Sequence, residues 1–102
     1  MQRYQLTATF EELQDLRVIS ETADYSASSI EEFAHGMIED VFAWFMTETR
    51  NGTHHQATFV HVLRILPLVE LIRFLTHADF YDDFDESQRD LIESALHEAL
   101  AY

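Results

Sequence analysis

The 102-residue chain contains no cysteine and no lysine, a single proline and only two glycines. Without cysteine, disulfides, thiolate metal sites and thiol catalysis are excluded together. With glycine confined to positions 36 and 52, no glycine-rich phosphate loop can be drawn, and no serine stands in a nucleophile-elbow context. Paired carboxylates are plentiful, but in so acidic a chain they carry little information, and no enzymatic activity is expected. No positively charged segment leads into an apolar run at the N-terminus, so no secretory leader is read and the expected location is the cytoplasm. The longest apolar region, about 59–75, is broken by His61, Arg64, Pro67, Glu70 and Arg73, too polar a stretch to span a bilayer. Asn51-Gly52-Thr53 fits a glycosylation sequon but reads as a turn.

The missing lysine goes with an extreme charge. Nineteen carboxylates face six arginines, a net of −13, where ordinary soluble domains mix both signs. Three physical causes compete. A protein adapted to molar salt uses hydrated carboxylates for solubility, with repulsion screened over about 3 Å at 1 M. An acidic surface can imitate nucleic acid or seek a basic partner. A solvated helical exterior built with arginine as its only cation is the third. The carboxylates are scattered along the whole chain, which favours the first and third over a dedicated mimic.

Apolar residues make up 47% of the chain, enough for one core and one domain spanning 1–102. Tyr4, Leu6, Ala8 and Phe10 alternate with Arg3, Gln5, Thr7 and Thr9, and this period of two predicts a half-buried strand over about 2–8. Thr9 and Glu12 fit a capping box, and Phe10, Leu13, Leu16, Ile19 and Ala23 then continue a helix to about Asp24. Ser28 or Ser29, with Glu31 or Glu32 three residues on, opens a second helix ending near Arg50, where Asn51-Gly52 tolerates left-handed backbone. Residues 56–77 are helical and apolar on nearly every side, hence central, and Pro67 either kinks this helix or starts another. The connector from Asp79 to Asp85 mixes aromatics with carboxylates. It suits either a docking segment for a basic partner or a capped loop with buried rings. Asp85 and Gln88 cap a last helix whose core face is Leu91, Ile92, Ala95, Leu96, Ala99 and Leu100.

A lone strand cannot satisfy its own backbone, so it must stay an arm or pair with the same strand of a second copy. Arg3-Tyr4-Gln5-Leu6-Thr7-Ala8-Thr9, then Leu13-x-x-Leu16-x-x-Ile19, then Ser26-x-Ser28-Ser29-Ile30, resembles the ribbon-helix-helix family of Arc- and MetJ-type repressors over residues 2–50. The resemblance implies a mainly α fold: an N-terminal strand plus four to five helices, in a homodimer, with 54–102 as a helical extension. It implies base contacts from Arg3, Gln5 and Thr7, and a phosphate clamped near Ser28 and Ser29. Residues 1–50 carry three arginines against ten acids, a net of −7, so this reading belongs with the salt-adapted one. The implied function is a dimeric DNA-binding transcriptional regulator. The alternative is an acidic helical interaction protein, an inhibitor, adaptor or DNA mimic, that binds a basic protein partner and not DNA.

Phe42, Trp44 and Phe45 serve either the core or the subunit interface. Glu32-x-x-His35, Glu70 and Glu93 lack the second motif of a di-iron bundle. His54, His55, His61 and His77 offer no convincing ligand spacing, so neither a metal nor another cofactor is expected.

Overall fold

The computed structural model describes residues 3–25, 29–77 and 79–101, with the backbone alone for 3–5. Among the described residues every regular element is helical: α1 (Arg3–Asp15), α2 (Ile30–Asn51), α3 (Gln56–Ile65), α4 (Leu68–Leu75), a 3-10 turn (Phe80–Asp83) and α5 (Glu86–Leu100). The predicted N-terminal strand is therefore corrected to a helix, and a ribbon-helix-helix fold goes with it. Leu6 and Phe10 belong to both periodicities, but Leu13 continues only the helical one. Leu6 and Leu13 are buried, while Ala8, which a strand would turn inward, is exposed. A helix also closes its own hydrogen bonds, which a strand without a partner cannot. Thr9 lies inside α1 and not at its N-terminal boundary; its hydroxyl donates to the Ile65 carbonyl at 3.2 Å.

The helix predicted to reach Asp24 stops at Asp15. Arg17 takes φ 62°, its amide bonds the Gln14 carbonyl at 3.0 Å, and the Val18 amide reaches back to Leu13 at 2.9 Å. This is a Schellman closure with arginine in the left-handed position, sealed by the buried pair Leu13 and Val18. The end of α2 repeats the device with Gly52 at φ 72° and the Thr53 amide on Glu48 at 2.9 Å. Glycine adopts that backbone freely and arginine does not.

α2 is the central helix. Ala34, Met37, Ile38, Val41, Phe42 and Phe45 are all buried along it. α1 and α4 pack on α2, and α3 packs on α5. Gly36 is where α2 meets the loop after α1. A Cβ there would stand 2.9 Å from the Tyr25 ring, so the small residue admits the ring. Tyr25 also sits edge-on to Phe10 and Phe33 and donates to Asp40 Oδ2 at 2.5 Å. Pro67 ends α3 and forms the N-terminal boundary of α4, the second of the two outcomes its position allowed. The apolar 56–77 region is central only in its first half: on α4, Leu68, Val69 and Ile72 face solvent.

The capping box at Asp85 forms as predicted. Asp85 accepts from the Gln88 amide at 2.8 Å, and Gln88 Oε1 accepts from the Asp85 amide at 2.9 Å. The buried Gln88 amide group then donates to Thr49 Oγ1 at 2.9 Å, tying α5 to α2. Gln56 makes a second tie, donating to the Leu91 carbonyl at 2.8 Å. Its Oε1 accepts from His54 Nε2 at 2.5 Å, and His54 Nδ1 is buried with no hydrogen-bond partner among the described residues. Of the predicted α5 core face, Leu100 alone is exposed.

Arg17→Gly is expected to raise stability by about 0.5–1 kcal/mol, because it relieves the left-handed arginine. Gly52→Ala should lower it by a similar amount, both read from denaturant midpoints. Burial first, then the hydrogen bond and charge of Asp40, push the Tyr25 phenol well above its ordinary value. The folded state thus holds that proton more tightly than the unfolded state. The associated stability is present below about pH 10, the ordinary tyrosine range, and is lost as pH rises beyond it. Thermal melts from neutral to strongly alkaline pH should show a steeper decline for the parent protein than for Tyr25→Phe.

Candidate functional site

Along one side of α2 run His35, Glu39, Phe42, Ala43 and Met46, at three- and four-residue steps that place them on one helical face. The polar residues thus continue the apolar stripe. α4 lays Phe74 against this face, its ring stacked on Phe42 with centroids 5.3 Å apart and planes 12° apart. The 3-10 turn adds Phe80, 4.9 Å from Phe42 and 5.1 Å from Phe74, and Phe84 follows at 5.4 Å from Phe80. Between these elements lies a cavity of about 460 Å³.

Its floor is aromatic, with Phe42, Phe80 and Phe84 almost fully buried and Phe74 partly exposed. Its rim is polar: Glu39 comes from α2, Asp79 and Asp83 from the turn, and His35 and His77 complete it. His35 Nε2 lies 2.5 Å from Glu39 Oε1, and its ring stands 5.7 Å from Phe74. No arginine is among the described residues that line the cavity, so with neutral histidines its formal charge is −3.

The turn that carries two of the three rim carboxylates is held from behind by α5. Arg89 donates from Nε and Nη2 to the Tyr81 carbonyl at 3.1 and 2.6 Å, and its guanidinium carbon stands 5.9 Å from the Tyr81 ring centroid. Burial, followed by the charge of Glu93, pushes the Tyr81 phenol up, while Arg89 opposes the rise. Arg89 is therefore committed to shaping the site and is not free to neutralise its rim.

The residues singled out from sequence are distributed differently. Arg3, Gln5 and Thr7 fall on α1, where positions two apart are separated by about 200° around the axis. The common strand face on which they would read bases is absent. Thr7 is exposed; the side chains of Arg3 and Gln5 lie outside the described residues, as does Ser28. Ser29 caps α2, its hydroxyl accepting from the Glu32 amide at 3.2 Å. Glu31 and Glu32 in the first turn already complement the helix dipole and would repel a phosphate there. Phe42 and Phe45, read as core or interface, are buried in the chain's own core; Phe45 stacks on Phe59 at 4.4 Å. Trp44 is half-buried, 6.3 Å from Phe59, and does not line the cavity.

Among the described residues no three His, Asp or Glu side chains converge as a metal site, and no helix is long and apolar enough to cross a membrane. Instead, His61 Nε2 lies 3.0 Å from Glu12 on α1. In the sequence the Asp79–Asp85 connector suited either a docking segment for a basic partner or a capped loop with buried rings. In the fold Phe80 and Phe84 are buried, Tyr81 is partly so, and Asp79 and Asp83 join the rim. The part contributed by α2 had a signal too, since His35 and Glu39 share the helical stripe of Phe42 and Met46. Compared with family models, curated proteins and solved structures, the chain matches none.

Replacing Arg89 with glutamine should leave the Tyr81 carbonyl without its charged donors and destabilise the fold by about 1–3 kcal/mol. Urea unfolding measures the loss, and amide exchange over residues 80–84 should accelerate with it.

Proposed function

We infer that this protein is an acidic helical interaction module, which takes a basic segment of a partner protein at the α2–α4–turn pocket. The observation that carries this reading is an aromatic floor ringed by Glu39, Asp79 and Asp83 with no arginine among its described lining residues. A unit charge pair at 4 Å is worth about 1 kcal/mol in bulk water but about 4 at the lower effective dielectric near protein surface. Carboxylates bordering an apolar cavity therefore hold a cation better than the same groups scattered over an open face. The aromatic floor also receives the methylene stem that a basic side chain carries beneath its charge.

The net charge of −13 supports the same reading at longer range, because it draws basic partners and repels nucleic acid. The ribbon-helix-helix route to DNA depended on a strand that is a helix. The pocket instead favours the alternative already open in the sequence, a partner that is a basic protein.

A fluorescent peptide containing both arginine and lysine should bind saturably in dilute buffer, with affinity falling as salt is added. An acidic peptide and a DNA duplex should not bind. Neutralising the rim with Glu39→Gln, Asp79→Asn and Asp83→Asn should weaken the peptide about tenfold or more, a step of about 1.4 kcal/mol. Neutralising the exposed Glu11, Asp15 and Glu21 in the same way should leave its affinity nearly unchanged. Equal losses in the two triple variants would mean diffuse attraction alone and would sink the assignment.

A further inference from the structure

Resting on the pocket's reading as a receptor for a basic segment, we propose that the group it selects is the guanidinium of arginine over the ammonium of lysine. The acceptors come from two sides, Glu39 from α2 and Asp79 with Asp83 from the turn. A planar guanidinium offers five N–H donors in a fixed fork and can address carboxylates on more than one side. An ammonium is a compact, strongly hydrated point charge. The floor sharpens the difference. Phe74 is held by its stack on Phe42 and its edge contact with Phe80, and its exposed part presents a fixed aromatic surface inside the rim. The weakly hydrated guanidinium stacks on such a surface at less expense of hydration than an ammonium.

Beside the site the chain holds one arginine through a forked pairing with a single backbone carbonyl and an aromatic ring. Arg89 combines two N–H bonds to the Tyr81 carbonyl with a position over the Tyr81 ring, on the same turn that supplies Asp79 and Asp83 to the rim. At about 460 Å³ the cavity also lies within the roughly 300–1,000 Å³ of ordinary ligand pockets, so an inserted side chain can carry flanking backbone with it.

The test uses short labelled peptides identical except at their basic positions, which carry arginine, lysine or the neutral isostere citrulline, with binding read by fluorescence anisotropy. The arginine peptide should bind about tenfold tighter than the lysine peptide, and citrulline should not bind. Phe74→Leu should bring the arginine-to-lysine ratio close to one while lysine binding persists, with circular dichroism confirming the helical fold. Should that variant fail to fold, Asp79→Asn with Asp83→Asn, both at exposed positions, decides the matter by weakening arginine more than lysine. Equal affinity for arginine and lysine overturns the selectivity and leaves the interaction function standing. An arginine preference untouched by the double substitution places the selectivity elsewhere and also overturns it. Absence of binding by either charged peptide removes both readings.

Discussion

The structure depends on the ring of Phe42. From the middle of α2 it meets Phe59 of α3, Phe74 of α4, Phe80 of the 3-10 turn and Phe84 just beyond it. The three successive segments that follow α2 are thereby fixed around one buried side chain. Edge-on and stacked ring pairs each add about 0.5–1.5 kcal/mol beyond the area they bury. The pocket is the outer side of this cluster. Its floor is held by the contacts that hold the core.

The charge pattern follows the same economy. With six arginines among 102 residues, those whose contacts are seen are committed to local tasks. Arg89 holds the Tyr81 carbonyl, Arg64 donates to the Glu98 carbonyl near the end of α5 at 3.2 Å, and Arg73 lies 3.4 Å from Glu70. Two of the three meet backbone oxygens, and Arg64 does so near a helix C-terminus, where positive charge complements the dipole. The rim of the pocket is left to carboxylates and imidazoles. A surface that repels itself in general thus has, among the described residues, a place where its acids are set around an apolar floor.

Much of the secondary structure was legible because local chemistry marks it. The Ser29 and Asp85 caps, the left-handed Gly52 and the break at Pro67 all stand where residue type placed them. The end of α1 was not legible, although it uses the same closure as α2, because arginine occupies the position that glycine occupies at 52. Arginine announces no turn; the buried Leu13–Val18 pair imposes one. The strand expected over 2–8 misled for a related reason. Leu6 and Phe10 satisfy a period of two as well as a helical step, and the burial of Leu13 with the exposure of Ala8 breaks the tie. Of the candidate site, the aromatic–acidic connector could be seen in the sequence. Its union with His35 and Glu39 could not, because nothing local says which face of α2 receives it.

The sequence by itself determined a helical, cysteine-free, strongly acidic chain with one core, and the positions of most caps and breaks. These follow from propensities and charges that act within a few residues. Tertiary structure decided that the first element is a helix ending at Asp15, that Phe42 and Phe45 are core, and that Glu39, Asp79 and Asp83 border one cavity. Those outcomes depend on which apolar faces meet, and the meeting of faces is settled by packing between segments tens of residues apart.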